Sequence, residues 1–183
     1  RMINLKGNSL KLPLKWYSLP RLYRYEKSQK GRLREFYQLN MDIVGTQSIW
    51  AEIELLTAVI EMLKELHLTD QDFYVGISSR RLLSDFLSAL GIEEAKKNEV
   101  YALLDKRAKL KKEVFSKLLS DLNLSTEIQK DLDHFFDCKG IAELAEICRT
   151  KNIKESLEEL QTLFGHLSSL KYESYLKLDL SVV

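Results

Sequence analysis

Arginine, carboxylate, amide and aromatic side chains are concentrated in one stretch of the chain, residues 23–45, which reads YRYEKSQKGRLREFYQLNMDIVG. Arg24 could hold phosphate or carboxylate oxygens through two parallel hydrogen bonds, and an arginine stays charged at any working pH. Phe36 could stack on a base, and Glu26 could accept a hydrogen bond from an exocyclic amine. These residue types suit a nucleotide that carries an activated acid.

A β-hairpin would bring these groups together. Two strand-like runs, residues 22–26 and 35–44, flank a loop at residues 27–34 that carries four cations and a glycine, an arrangement typical of a hairpin. Because side chains alternate between the two faces of a strand, Arg24 and Glu26 share one face of the first run. One face of the return run carries a ring, two amides and a carboxylate: Phe36, Gln38, Asn40 and Asp42.

Gln38 and Asp42 on that face could hold a cationic or amino-bearing substrate. An ordinary polar hairpin edge, protected by its charges, would have a similar composition. The order of the residues favours a binding site, because it resembles the second signature motif of the class II histidyl-tRNA synthetases. The matching residues are YRYE at 23–26, the basic loop, GRLREFYQ at 31–38, and then Asp42 and Gly45.

Further segments also resemble this family. Residues 6–10 and 12–18 are similar to the segment that leads into the second motif in one branch of the family, and residues 178–183 are similar to the strand before its histidine-specific arginine motif. The family's first motif, which forms much of the dimer interface, is expected before Arg1, and its third, glycine-rich ATP motif after Val183. We therefore expect the central part of a synthetase, which has no catalytic activity by itself.

The resemblance implies a role for each matching residue of the hairpin. Arg24 matches the arginine that contacts the α-phosphate and the substrate carboxylate, and Glu26 matches the acid near the adenine amine. Phe36 matches the ring that stacks on adenine, and Arg32 a loop position that approaches the triphosphate and the tRNA end. The residues that match histidine-binding positions are Gln38 and Asp42.

The function that the resemblance implies is that of a histidine–tRNA ligase. In its two-step reaction the carboxylate of histidine attacks the α-phosphorus of ATP and releases pyrophosphate, and the acyl-adenylate is then transferred to the terminal ribose of tRNA. Positioning and electrostatic stabilisation carry most of such a reaction, and Mg²⁺ bound mainly through the ATP phosphates neutralises their charge. The resemblance also implies a homodimer for the full-length protein.

Two other classes of protein also resemble the synthetases. One is a regulatory subunit of histidine biosynthesis that does not charge tRNA, and the other is a synthetase-like module that senses uncharged tRNA. The chain keeps Gln38 and Asp42, which argues against a regulator, because a regulator need not keep both the substrate and the ATP contacts. It also keeps Arg24, Glu26 and Phe36, which argues against a sensor with a degenerate ATP site.

The charge of the chain is distributed unevenly. The net charge is +1, but residues 1–34 contain ten Lys and Arg against a single acid, Glu26, and so carry +9. The remaining residues contain 18 cations and 26 acids, and so carry −8. A positive field around the hairpin suits a polyanionic ligand such as ATP or the tRNA acceptor end. A solvated basic face is the alternative interpretation.

The composition predicts a soluble, cytoplasmic protein. With 45% hydrophobic and 30% charged residues, 183 residues can bury a sizeable core. No apolar run approaches the roughly 20 residues needed to cross a bilayer, and Lys6, Lys11 and Lys15 interrupt the apolar residues of the amino end, unlike a signal peptide. Cys138 and Cys148 form neither a disulfide framework nor a zinc spacing. We expect unpaired thiols and no metal site.

Outside the hairpin, apolar periodicity predicts a helix at 48–66, a strand at 72–77 and a helix at 79–90. This order indicates an α+β fold, in which the antiparallel sheet of a class II catalytic core is backed by helices. Ser125 and Asn152 are the expected caps of two later helices. Those later helices indicate an inserted all-helical unit and are predicted at 94–105, 110–122, 125–137, 139–149 and 153–169.

We expect three segments in this chain: a partial catalytic domain at 1–92, a helical insertion at 93–170, and a strand that returns to the catalytic sheet at 171–183. By resemblance the insertion contacts the tRNA acceptor stem, and lysines suit contacts to phosphates. A solvated connection between helices would have the same charges. The residues of the insertion that are predicted to contact tRNA are Lys109, Lys111 and Lys112.

Overall fold

A computed structural model of the chain describes residues 3, 5, 9–27, 29–107, 112–122 and 124–180. Within these ranges the strands are β1 (Leu14–Ser18), β2 (Arg21–Tyr23), β3 (Glu35–Tyr37), β4 (Asn40–Val44), β5 (Val75–Ile77) and β6 (Leu176–Leu178). The α-helices are α1 (Ile49–Glu65), α2 (Arg80–Ala89), α3 (Glu94–Arg107), α4 (Lys112–Asp121), α5 (Thr126–Asp137), α6 (Ile141–Thr150) and α7 (Glu155–Ser169). The α+β fold class predicted from the sequence is confirmed.

The chain forms two compact units, Arg1–Val59 and Ile60–Val183. The division falls within α1, so that β1 to β4 belong to the amino-terminal unit and the strands and helices from β5 onwards belong to the carboxy-terminal unit. The domain boundary expected near residue 92 concerns the domains of the full-length protein, and it stays a prediction.

The strands of the described residues form three two-stranded sheets. β1 pairs with β4 and β2 pairs with β3, and both pairs are antiparallel. β5 and β6 are parallel, a pairing that the sequence analysis does not anticipate. Parallel strands need a long crossover connection, and the helices between β5 and β6 supply it.

The predicted hairpin differs from the observed one in its strand boundaries. The return run at 35–44 is interrupted at Gln38 and Leu39, where the chain stops pairing with β2 and starts pairing with β1. The first run is also shorter than predicted, because β2 ends at Tyr23. The chain therefore forms two successive antiparallel pairs in place of one long hairpin.

The strand β1 is missing from the sequence-based prediction. Leu14 and Trp16 of this strand are partly buried, whereas Lys15 and Tyr17 between and beside them are exposed. Such alternation indicates a half-buried strand. In the sequence, the alternation of apolar Leu14 and Trp16 with Lys15 is the signal that could have identified β1. Lys15 Nζ lies 2.6 Å from Glu54 Oε2 of α1, and this exposed ion pair connects the strand to the helix.

Aromatic and leucine side chains form the core of the carboxy-terminal unit. Phe86 of α2 stacks on Phe135 of α5 with ring centroids 4.1 Å apart, and Phe135 meets Phe136 edge to face. The five helices predicted between residues 94 and 169 are confirmed as α3 to α7, each within two residues of its predicted bounds. The fully buried leucines of this unit include Leu82, Leu83, Leu87, Leu132, Leu144 and Leu167.

One of the two predicted helix caps is confirmed and the other is wrong. Ser125 is the N-cap of α5, and its Oγ accepts a hydrogen bond from the Ile128 backbone N–H at 3.3 Å. Asn152 does not cap α7, whose N-cap is Lys154. Asn152 has a φ of 57°, and its backbone N–H donates to the Arg149 carbonyl at the end of α6. Asparagine tolerates this left-handed conformation, so the residue ends one helix and does not begin the next.

The two cysteines are buried and unpaired, as expected. Burial is the main cause that raises the pKa of the Cys138 thiol and that of the Cys148 thiol, each to about 11. Both sulfurs are therefore protonated at neutral pH, and a protonated thiol is a poor nucleophile and metal ligand.

A phenol and an ion pair connect the end of α1 with the turn that follows α7. The Tyr172 hydroxyl donates to Glu61 Oε1 at 2.8 Å, and Lys64 also bonds to this carboxylate. The hydrogen bond from Lys64, followed by that from Tyr172, lowers the pKa of Glu61. Burial raises the pKa of the Tyr172 phenol.

The Tyr172→Phe variant is expected to melt on the order of 2 °C below the wild type at pH 7, because it removes the hydroxyl that bonds to Glu61. The pKa of Glu61 is lower in the folded state, so this contact stabilises the fold above the unfolded-state pKa and is lost as the pH falls through the folded-state pKa. In thermal melts the difference should shrink below about pH 4. Tyr74→Phe, at a 57% exposed residue, is the control. A deficit independent of pH would contradict this account.

Candidate functional site

The pair of strands β2 and β3 forms a short ribbon with a defined register. Leu22 lies opposite Phe36. Backbone hydrogen bonds extend the ribbon beyond both ends: the Arg24 N–H donates to the Arg34 carbonyl at 2.9 Å, and the Gln38 N–H donates to the Pro20 carbonyl at 3.2 Å. The ribbon therefore holds Arg24 in place although this residue lies outside the strand.

Arg24 and Phe36 are in contact on one face of this ribbon. Arg24 lies diagonally across from Phe36, and its guanidinium carbon is 4.1 Å from the centroid of the ring. A guanidinium at this distance from a ring is attracted by the negative face of its π-system. Arg24 is exposed and Phe36 is partly buried. The structure thus brings together the predicted phosphate ligand and the predicted base-stacking ring.

Glu26 and Arg32 meet at the loop end of the ribbon. Arg32 Nη1 lies 3.4 Å from Glu26 Oε2, and Arg34 Nε donates to the Glu26 carbonyl at 3.3 Å. Gly31 has a φ of 79°, and the turn that it makes closes with a hydrogen bond from Arg32 N–H to the Gln29 carbonyl at 2.9 Å. The side chains of Glu26 and Arg32 are more than half exposed, so their ion pair is weak and open to a competing ligand.

Gln38 and Asp42 lie on the segment where the chain passes from β3 to β4. Gln38 Nε2 donates to Asn40 Oδ1 at 2.7 Å. Asp42 Oδ2 accepts a hydrogen bond from the indole Nε1 of Trp16 at 2.7 Å. Gln38 and Asp42 are both exposed. The sequence analysis names Asn40 on this face but misses Trp16, because β1 is not predicted and its register with β4 cannot be foreseen.

A different arginine occupies the opposite face of the ribbon. Arg21 Nη1 lies 3.1 Å from Glu35 Oε1, its Nη2 donates to the Tyr37 hydroxyl at 3.2 Å, and its guanidinium also lies over the Tyr37 ring. Arg21 is one pair along the ribbon from the Leu22–Phe36 pair, so its side chain points away from Phe36. This arginine is therefore a cross-strand partner, distinct from the predicted site.

The contacts to tRNA predicted for three lysines of the helical insertion stay a prediction. Lys109 and Lys111 lie outside the described residues, and Lys112 begins α4.

An open pocket of about 210 Å³ lies beside Trp16 and Asp42 in the amino-terminal unit. A larger pocket of about 690 Å³ belongs to the carboxy-terminal unit, and no predicted site residue lines it.

No group of three or more His, Cys, Asp or Glu side chains in the described ranges is arranged to hold a metal ion. Within the same ranges, no helix combines the length and the apolar character that crossing a bilayer requires.

Curated proteins similar to this chain are histidine–tRNA ligases. The enzyme of Opitutus terrae is 33% identical over 187 residues, which cover 100% of this chain and 43% of that protein. The chloroplastic/mitochondrial histidine–tRNA ligase of Arabidopsis thaliana is 31% identical over 183 residues, which cover 100% of this chain and 37% of that protein. The chain thus spans about two fifths of the length of these relatives.

Solved structures of low sequence identity share the fold. The crystal structure of histidyl-tRNA synthetase from Nostoc sp. PCC 7120 superposes with a TM-score of 0.84 at 20% identity, over 98% of this chain and 43% of that one. A protein of Bacillus halodurans, described as an ATP phosphoribosyltransferase regulatory subunit/histidyl-tRNA synthetase, superposes with a TM-score of 0.79 at 23% identity, over 100% of this chain and 47% of that one.

The family model for histidyl-tRNA synthetase matches residues 1–183, the whole of the chain. This match agrees with the resemblance carried by the hairpin residues and with the shared fold. The chain belongs to the histidyl-tRNA synthetase family.

Proposed function

We propose that the full-length protein containing this chain is a histidine–tRNA ligase, which activates histidine with ATP and transfers it to tRNA. The observation that carries this proposal is the contact between Arg24 and Phe36, with 4.1 Å between the guanidinium carbon and the ring centroid. A nucleotide needs a phosphate ligand and a stacking surface that are close together. The exposed ion pair of Glu26 and Arg32 continues the same ribbon toward the loop.

Each predicted site residue of this hairpin has a proposed task. Arg24 binds the α-phosphate and the substrate carboxylate, and it stabilises the negative charge that grows on the phosphate during attack. Phe36 stacks on adenine, Glu26 accepts from the adenine amine, and Arg32 approaches the triphosphate and the tRNA end. The proposed histidine ligands are Gln38 and Asp42.

The chemistry requires no protein nucleophile, because the carboxylate of histidine attacks the α-phosphorus directly. The residues of the hairpin act by holding the two substrates in line and by supplying positive charge. Magnesium is proposed to arrive on the ATP phosphates as their counter-ion. The cations of the loop cannot bind a metal ion, and the ATP phosphates are its proposed main ligands.

The remaining proposals concern the full-length protein. Residues 1–92 and 171–183 are proposed to belong to the catalytic domain, and residues 93–170 to a helical insertion whose Lys109, Lys111 and Lys112 contact the tRNA acceptor stem. A homodimer is proposed by analogy with the family. A cytoplasmic location is also proposed, although one relative is named as chloroplastic/mitochondrial.

Histidine-dependent exchange of pyrophosphate into ATP tests the proposed reaction. The full-length protein is expected to catalyse this exchange with histidine and not with the other amino acids, and residues 1–183 alone are expected to be inactive. Charging of tRNA with radioactive histidine would complete the test. A soluble, folded full-length protein that shows neither reaction would favour a regulatory paralogue of the synthetases over the enzyme.

A further inference from the structure

Two residues with no assigned role contact the side chains proposed to bind histidine. Trp16 Nε1 donates to Asp42 Oδ2 at 2.7 Å, and Asn40 Oδ1 accepts from Gln38 Nε2 at 2.7 Å. Trp16 and Asn40 are partly buried, whereas Asp42 and Gln38 are exposed. In each pair, a hydrogen bond with the side chain of the more buried residue therefore fixes the side chain of the more exposed one.

The strand register explains why these contacts form. Trp16 of β1 lies directly opposite Asp42 of β4, so both side chains project from the same face of the sheet. Asn40 is the first residue of β4 and lies two residues before Asp42, which places it on that face as well. Gln38 precedes β4; its backbone N–H bonds to the Pro20 carbonyl, and its side chain bonds to Asn40.

The two bonds limit which polar atoms a ligand meets. Asn40 engages one of the two N–H groups of Gln38 Nε2, which leaves Oε1 and the second N–H for a ligand. The indole takes one lone pair of Asp42 Oδ2, which leaves Oδ1 as the less engaged carboxylate oxygen. Oε1 and Oδ1 are hydrogen-bond acceptors, and they favour a ligand group that presents N–H donors, such as an ammonium or an imidazole.

We infer that Trp16 and Asn40 are positioning residues, which orient the acceptor atoms of Asp42 and Gln38 toward the N–H donors of histidine. This inference rests on the proposed function, because it assigns these acceptors to the amino-acid substrate. Holding both side chains in the binding conformation before the substrate arrives removes the cost of ordering them on binding. Neither residue needs to touch histidine for this effect.

The test compares Trp16→Phe and Asn40→Ala in the full-length protein with the wild type. Trp16→Phe keeps an aromatic ring and removes the indole N–H, and we expect it to raise the KM for histidine about tenfold, the usual scale for a lost hydrogen bond to a charged group. Asn40→Ala should raise it about fivefold, since the lost bond is neutral. The KM for ATP should stay within about twofold in both variants, because the altered contacts are to the amino-acid ligands.

Tyr17→Phe is the matched control. Tyr17 follows Trp16 on the same strand, its side chain projects from the opposite face, and it is 77% exposed. Loss of its hydroxyl should leave both KM values unchanged. If Trp16→Phe instead raises the KM values for histidine and ATP equally and lowers the melting temperature, Trp16 only supports the sheet and the inference is wrong.

A double-mutant cycle tests whether Trp16 acts through its partner. In an Asp42→Ala background, Trp16→Phe should change the dissociation constant for histidine less than twofold, because the carboxylate it orients is gone. Independent tenfold effects in the two backgrounds would overturn the inference. Calorimetry of histidine binding serves for this measurement and does not depend on catalysis. A wild type that binds histidine but exchanges no pyrophosphate would refute the proposed function alone, and a wild type that binds no histidine would refute both.

Discussion

Arg24→Ala in the full-length protein is expected to lower kcat/KM for histidine-dependent pyrophosphate exchange by about 10²–10³-fold, the usual effect of removing one group that stabilises transition-state charge. Arg24 is the exposed guanidinium next to the Phe36 ring, and alanine can neither hold the α-phosphate nor offset its charge. Arg24→Lys should restore only part of the activity, because an ammonium lacks the planar fork of two donors. Initial rates of exchange at varied ATP and histidine concentrations measure both effects.

Arg21→Ala is the control for this substitution. It removes the same side chain from the same ribbon, but from the face that carries Glu35 and Tyr37. Because that ion pair is about half exposed, its loss should cost little stability, and the exchange rate should stay within about threefold of the wild type. Equal losses of activity in the two variants would show that the ribbon as a whole, and not Arg24 itself, is responsible.

Phe135→Ala is expected to destabilise the carboxy-terminal unit by about 3–5 kcal/mol, the usual cost of truncating a buried phenylalanine. Phe135 is fully buried, and its ring contacts those of Phe86 and Phe136. A cavity in that position removes the ring contact between α2 and α5. The loss should fall on the helices of this unit.

Hydrogen–deuterium exchange of backbone amides in α5 and α7 measures this loss locally. Exchange that proceeds through opening of the unit should accelerate by about two to four orders of magnitude, since each factor of ten corresponds to about 1.4 kcal/mol. Leu170→Ala, at a residue that is 50% exposed, should change these rates by less than about threefold. Unchanged protection in Phe135→Ala would mean that the neighbouring side chains close the cavity.

Local patterns in the sequence were sufficient to predict most of the helical unit. The apolar periodicity predicts five helices, and Ser125 is predicted as a cap because a serine hydroxyl can accept from an N–H of the first helical turn. Asn152 shows the limit of this reasoning. An asparagine between two helices can end the first or begin the second, and only its φ of 57° distinguishes the two.

The hairpin shows a different limit, since the sequence predicts its site residues but not the way in which its strands pair. Alternation places Arg24 with Glu26 on one run and Phe36 with Gln38 on the other, and the structure brings Arg24 against Phe36 across the ribbon. The exchange of strand partners at Gln38 and Leu39 depends on β1, which is distant in sequence and whose register with β4 no local pattern specifies. The bond between Trp16 and Asp42 could not be foreseen for the same reason.

The interruption at Gln38 and Leu39 divides this hairpin into two modules, each paired with a different strand. The proposed nucleotide contacts lie on the ribbon of β2 and β3, whereas Trp16 and Asp42 belong to β1 and β4. Substitutions in the second module could alter which amino acid is accepted while the nucleotide residues keep their register. Insertions in the loop between β2 and β3 could lengthen this loop without moving Trp16 against Asp42.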